Sequence, residues 1–295
     1  MKTLIGAATA CFLALAALAL APARAADSKI AVVAAENFYG DVAQQIGGDR
    51  VSVSNILSNP DQDPHLFETT PTIVRRIAAA QVVVFNGADY DPWMAKLLNV
   101  TRKPGRVVIV AADLTHRKAG DNPHLWYDPP TMPAVAGALA AALSAADPAH
   151  QDGYAARLKA FLASLAPLNG KIAAIRKNYA GVPVTATEPV FGYMAAALNL
   201  KMHNERFQLA VMNDTEPSAR DFAAFERELK THKVRVLFYN KQASDNLVQH
   251  LVDLARASHI AVVGVTETAP PGLSYQNWML SELDAAEQAL AGSSS

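Results

Sequence analysis

Residues 30–56 read IAVVAAENFYGDVAQQIGGDRVSVSNI: an apolar run rich in Ile, Val and Ala, a stretch of helical period, and a second run rich in Val and Ile. That succession is a β-α-β unit, the building block of a parallel sheet. Working outward, short runs of the same kind recur at 82–85, 107–110, 182–186, 234–239 and 261–265, and helical periodicity recurs at 134–143, 190–198, 222–229 and 247–255. Four runs fall before residue 111 and three after residue 181. Between them no strand pattern occurs. Tyr154, Leu158, Phe161, Leu162, Leu165, Leu168, Ile172 and Ile175 follow instead, mostly at steps of three and four, which is the stripe of a long helix. The predicted fold is α/β, with two lobes, each a mainly parallel sheet flanked by helices, joined by a long interlobe helix. The N-terminal lobe is expected over 26–147, the linking helix over 148–180 and the C-terminal lobe over 181–295. Pro167 and the pair Asn169-Gly170 predict a kink or break within 165–170, because an interior proline removes a hydrogen bond and crowds the preceding turn.

The first 25 residues read as an export signal: Lys2 precedes an Ala/Leu-rich run over 4–21, which ends in Pro22 and the small-residue pattern Ala23-Arg24-Ala25. Cleavage there starts the mature chain at Ala26 and removes Cys11, the only cysteine among 295 residues. A lipid anchor on Cys11 is disfavoured, since Thr9 and Ala10 make a poor lipobox and the strongest apolar run follows the cysteine. Beyond Ala26 no stretch reaches the 18 or so uncharged apolar residues of a membrane span, so a soluble periplasmic product is expected. It needs no disulfide, because a chain of this length buries a large core. With 26 Lys+Arg against 27 Asp+Glu, the near-neutral charge argues against a nucleic-acid or polybasic membrane role, and the 51% hydrophobic content argues against disorder. The tail 292–295 is expected to fray.

Parallel sheets place functional groups on the loops leaving the carboxyl ends of their strands. After 51–56 comes Asn59-Pro60-Asp61-Gln62-Asp63-Pro64-His65-Leu66-Phe67-Glu68, and after 107–110 comes Asp121-Asn122-Pro123-His124-Leu125-Trp126-Tyr127-Asp128. The second lobe supplies Thr187-Glu188-Pro189 after 182–186 and Thr266-Glu267-Thr268 after 261–265. Two imidazoles and two carboxylates, one pair from each lobe, can close around a divalent cation. Imidazole is a borderline donor for first-row metals, and carboxylate neutralises the dication. Each member also has a plainer reading: a loop histidine can be merely solvated or bonded to backbone, Glu188 stands where an acid complements a helix N-terminus, and Glu267 can be a loop charge.

The chain resembles the periplasmic solute-binding proteins of zinc/manganese ABC transporters. The residues that carry the resemblance are Asp63-Pro64-His65-Leu66-Phe67-Glu68, Phe85-Asn86-Gly87 with Asp91-Pro92-Trp93, and Asn122-Pro123-His124-Leu125-Trp126. In the second half they are Glu188 with Phe191-Gly192-Tyr193, Glu216-Pro217-Ser218, the strand end 238–242, and Thr266-Glu267 with Tyr275 and Trp278. The resemblance implies a rigid linking helix and metal ligands at His65, His124, Glu188 and Glu267. It also implies delivery of the ion to an ABC transporter membrane permease. Zinc-type relatives usually carry a third histidine where Glu188 stands, and a His-rich loop where 111–121 holds only His116. Manganese-type relatives look more like this chain at Glu188 but commonly carry Asp where Glu267 stands; two carboxylates shift the expectation towards a harder ion such as Mn²⁺, while raw affinity favours Zn²⁺. The expected cargo is therefore Zn²⁺ or Mn²⁺, one ion per chain. Asp63, Asn122 and Glu68 are candidates to orient the ligands.

No H-E-x-x-H, G-x-S-x-G, G-x-G-x-x-G or Walker-type loop occurs, and no catalytic residue is assigned. The expectation is a monomeric carrier that binds no nucleic acid. Its rivals are a secreted metallohydrolase using the same His and Glu residues, which requires an open coordination position, and a receptor for a metal chelate. His203, His232, His250 and His259 lie beside helical stretches without a second donor close in sequence, and Trp93, Trp126 and Trp278 read as packing residues.

Overall fold

A computed structural model describes residues 29–59, 67–213, 215–243 and 245–292. The export signal expected over 1–25, the tail 293–295, Asp63 and His65 lie outside the described residues.

The first lobe runs β1 (Ile30–Glu36), α1 (Asn37–Gly47), β2 (Val51–Leu57), α2 (Pro71–Ala79), β3 (Val82–Phe85), α3 (Pro92–Val100), β4 (Val107–Val110), α4 (Ala111–Leu114) and α5 (Thr131–Ala146). Its four strands are all parallel, in the order β2-β1-β3-β4. The central strands β1 and β3 are buried on both faces, which is why they read as unbroken apolar runs with no alternation. Helix α1 lies close on β2: a side chain at Gly40 would collide with the Asn55 side-chain amide and force it to move. Helix α2 starts where Thr70 accepts the Ile73 amide and Pro71 takes the first helical position.

Two helices follow, α6 (Gln151–Ser164) and α7 (Ala166–Tyr179), which meet at Leu165. The break falls in the segment expected to kink. Pro167 is tolerated because it sits in the first turn of α7, where its missing N–H has no partner to lose. Among the described residues, 148–179 is the one helical stretch long and apolar enough to cross a membrane by length and composition. Tyr154, Phe161, Leu165, Leu168 and Ile175 turn its apolar side into the protein core. Lys171 fastens α7 to the last helix through Asp284 (2.6 Å) and Glu287 (2.5 Å).

The second lobe runs β5 (Pro183–Ala186), α8 (Gly192–Ala197), β6 (Lys201–His203), α9 (Glu205–Met212), α10 (Ala219–Lys230), β7 (Val236–Asn240), α11 (Asn246–Ala257), β8 (Ala261–Val265) and α12 (Tyr275–Ala291). Its sheet is also parallel, in the order β6-β5-β7-β8. Strand β6 escapes the sequence reading, and the helical stretch at 190–198 divides into a 3₁₀ turn (Pro189–Phe191) and α8. Caps at Ser218, Asp245 and Ser274 fix the starts of α10, α11 and α12.

One apolar cluster extends from the first sheet into the second. At its centre Phe38, Trp126, Tyr127 and Trp278 pack ring on ring, with centroids 4.8–6.1 Å apart. Trp126 and Trp278 are fully buried, as their packing role requires. The lobes are also sewn together by polar groups. Asn37 exchanges two hydrogen bonds with the Ala269 backbone (2.7 and 3.0 Å), and Asp41 accepts the Tyr275 amide (2.8 Å). These contacts hold the loop after β8, with the carboxyl ends of its sheet, against α1 of the first lobe.

Candidate metal centre

His124 stands at the head of a 3₁₀ turn, Leu125–Tyr127, whose three residues are all buried. The imidazole is fully buried and lies edge-on to Trp126, centroids 5.3 Å apart. Its tautomer follows from Asn122. The Asn122 amide nitrogen donates to the Pro189 carbonyl (2.8 Å) and its oxygen accepts the His124 backbone N–H (3.1 Å), so the oxygen is the atom that meets His124 Nδ1 at 2.7 Å. Nδ1 must therefore carry the proton, and Nε2 carries the lone pair. Because Pro189 follows Glu188, Asn122 also ties the two lobes together beside the site. Tyr193 adds a second tie, donating to the Asn122 carbonyl at 2.7 Å.

Glu188 follows β5 in extended conformation and is 4% exposed. It stands at the N-cap of the 3₁₀ turn that follows, and its side chain makes no capping bond there. Glu267 follows β8 and is wholly buried, which corrects the loop-charge reading. The sheet order explains how the two meet. Strand β7 lies between β5 and β8, and its last residue, Asn240, stands between the two carboxylates. The Asn240 amide nitrogen donates to Glu188 Oε2 at 2.8 Å and to Glu267 Oε1 at 2.5 Å. Its oxygen is fixed by the Gln242 backbone N–H (3.0 Å), and the Gln242 side chain in turn accepts the amides of Glu267 (2.6 Å) and Thr268 (3.1 Å).

His124, Glu188 and Glu267 each offer a ligand atom, and these atoms lie within 4.8 Å of one another. His124 Nε2 and Glu267 Oε2 are 3.8 Å apart, too far for a hydrogen bond. Two donors on one tetrahedral ion with bonds of about 2.0–2.2 Å stand about 3.4 Å apart, so a shift of a few tenths of an ångström would bring both onto a shared cation. One borderline nitrogen and two hard oxygens, drawn from both lobes and closed off from water, suit a first-row divalent ion.

The surroundings are acidic and dry. Burial, together with the Glu267 and Glu36 charges, keeps the Tyr90 phenol firmly protonated. Glu36 ends β1 fully buried; burial first, and then the neighbouring Asp91, push its carboxyl well above the usual range. Asp91 is raised as well by burial, despite accepting the amides of Asn86 (2.7 Å) and Gly87 (2.8 Å).

Of the four residues expected to bind metal, the structure brings three together, and the fourth, His65, lies outside the described residues. Asn122 bonds the His124 ring and also shapes its own loop; Glu68 is exposed. His203 pairs with Glu228 (3.0 Å) and His250 with Glu226 (2.7 Å), away from the cluster, while His232 and His259 are exposed at turns. Tyr90 and Glu36 were not singled out from sequence, and Asn240 and Gln242 entered only within the strand end 238–242, with no role assigned. Their signal is position: Glu36 and Asn240 are the last residues of strands on the carboxyl side of their sheets.

Over residues 32–289 the sequence matches the family described as Zinc-uptake complex component A, periplasmic. The chain belongs to this family. The resemblance read from the sequence is thereby borne out, and membership places the chain among the solute-binding components of metal uptake systems. A manganese ABC transporter substrate-binding lipoprotein, PsaA of Streptococcus mitis, is 23% identical over 288 residues, covering 90% of this chain and 91% of the relative. An iron ABC transporter substrate-binding lipoprotein, MtsA of Streptococcus pyogenes serotype M1, is 23% identical over 311 residues, covering 99% and 98%. Among solved structures, the periplasmic zinc-binding protein TroA of Treponema pallidum superposes with a TM-score of 0.75 at 19% identity, covering 89% of this chain and 99% of that one. That superposition shows the same fold: two parallel sheets flanked by helices and spanned by a long central helix.

Proposed function

We propose that this chain captures one divalent transition-metal ion, Zn²⁺ or Mn²⁺, in the cleft between its lobes and hands it unchanged to an ABC transporter membrane permease. It works as a monomer in the periplasm after losing residues 1–25. His124, Glu188 and Glu267 are ligands, and His65 from the loop after β2 is the fourth. The observation that carries this reading is the convergence of three buried donors, from strand ends of both lobes, within 4.8 Å. Four protein ligands leave no open position for an activated water, and this separates a carrier from a hydrolase. The burial of His124 and Glu267 leaves no room for a chelating organic shell, which favours the bare ion. By intrinsic affinity such a site holds Zn²⁺ more tightly than Mn²⁺.

The test is a titration of metal-stripped mature protein with Zn²⁺ and with Mn²⁺. One ion per chain is expected, displaced by the competing ion and accompanied by no hydrolytic turnover. Failure to bind either ion, or binding of a chelate in preference to both, refutes the reading.

Asn122→Ala is expected to weaken binding about 10–100-fold, the usual effect of removing the group that fixes a histidine ligand's tautomer. The fold should survive, since the loss is confined to the loop contacts at Pro189 and His124. Competition against a fluorescent chelator measures it.

A further inference from the structure

Asn240 is 1% exposed and spends both N–H bonds of one amide nitrogen on carboxylates, one on Glu188 Oε2 and one on Glu267 Oε1. Its orientation is not free to flip, because its oxygen already accepts the Gln242 backbone N–H and its nitrogen faces two acceptors. Gln242 is locked in its own right by the Glu267 and Thr268 amides and by its bond to Thr268 Oγ1 (3.2 Å). The donor is therefore fixed before any ion arrives. Of the two Glu267 oxygens, Oε1 is the one Asn240 holds, and Oε2 is the one that lies 3.8 Å from His124 Nε2.

We infer that Asn240 is a specificity-determining residue: by holding one oxygen of each carboxylate, it restricts Glu188 and Glu267 to single-oxygen coordination. The inference rests on the reading of those two residues as ligands. With both carboxylates monodentate, two imidazoles and two oxygens make a compact four-coordinate site, which suits Zn²⁺. An ion that prefers more oxygen ligands gains a fifth or sixth only if a carboxylate turns to chelate it, and that turn stretches a short charge-assisted hydrogen bond to an immobile donor. Asn240 thus discriminates against Mn²⁺ without touching the metal. The same donor partly neutralises two adjacent carboxylates while the site is empty.

The test compares wild type with Asn240→Ala and Asn240→Ser in Zn²⁺ and Mn²⁺ competition titrations, and uses Co²⁺ as a spectroscopic probe of coordination number. In wild type, bound Co²⁺ should show the intense visible d–d absorption of a four-coordinate ion. In the variants that band should weaken toward the five- or six-coordinate type, and the Zn²⁺/Mn²⁺ affinity ratio should fall about tenfold or more. A wild-type Co²⁺ spectrum of the weak six-coordinate type overturns the inference even if neither variant folds. So do folded variants that keep the ratio, or that lose both ions in equal measure, the latter being the mark of a merely structural residue. If instead wild type binds no ion at all, it is the ligand reading that has failed.

Discussion

Glu267→Gln should lower metal affinity roughly 10²–10³-fold while raising the melting temperature of the metal-free protein. The first effect follows from the size of a ligand's share: binding of about 10–16 kcal/mol spread over four ligands gives about 2.5–4 kcal/mol for each. The second follows from the geometry around Asn240, where two buried carboxylates lean on a single donor nitrogen. Like charges that close disfavour each other, and burial removes the water that would screen them. A neutral amide of the same shape at 267 relieves the repulsion and can still accept from Asn240. In wild type the ion supplies that relief, so saturating metal should raise its melting temperature strongly, by mass action on the native state. In the variant the metal-induced rise should largely vanish. His124→Ala is the contrasting case: it loses the ligand without removing a negative charge, so its affinity should fall without the gain in metal-free stability. Thermal melts with and without Zn²⁺, alongside competition titrations, separate these outcomes. Unchanged affinity in Glu267→Gln would remove this residue from the coordination sphere.

The strands that position these residues were legible because both faces of a parallel sheet are covered. Val82, Val83, Val84 and Phe85 are all buried, and such a run stands out without alternation. Strand β6 was not legible: Lys201, Met202 and His203 form a three-residue edge strand with none of the three buried, so no apolar signal marks it. Helix α12 hides for a different reason. Its inward face carries Gln276 and Glu282 among Tyr275, Trp278, Met279 and Leu283, and two polar residues interrupt the stripe. His124, Glu188 and Glu267 could be picked out because each stands just beyond a strand or in the loop that leaves one. Asn240 could not, because its role depends on β7 lying between β5 and β8, and the order of strands in a sheet is a long-range property that a single sequence does not display. Glu36 escaped likewise, and Asp91 stood out only as part of the resemblance, since an acidic pair 55 residues apart in sequence becomes a pair only when β1 and β3 lie side by side.

Glu282→Gln should stabilise the protein at pH 8 and leave it nearly unchanged at pH 4.5. Glu282 sits on α12 at 7% exposure and accepts a hydrogen bond from Trp278 Nε1 (3.2 Å), and burial still pushes its carboxyl up from 4.5 to about 7. The folded state therefore binds this proton more tightly than the unfolded chain does. Below about pH 4.5 both states hold the proton and nothing is lost. As pH rises from there through about 7, only the unfolded chain ionises freely, and stability falls. Above that range the full penalty applies, on the order of 3 kcal/mol for a shift of this size. Glutamine keeps the accepting oxygen for Trp278 and removes the charge, so the gap between variant and wild type should open across that window. Glu36 and Asp91, raised in the same direction, tilt both proteins alike and cancel in the comparison. Urea midpoints at several pH values measure the gap; a gap of equal size at pH 4.5 and pH 8 would show that packing, rather than the proton, accounts for it. Metal affinity is the internal control. Glu282 bonds Trp278 on its own helix and leaves Glu267 itself to Asn240 and Gln242, so the variant should bind Zn²⁺ within a few-fold of wild type.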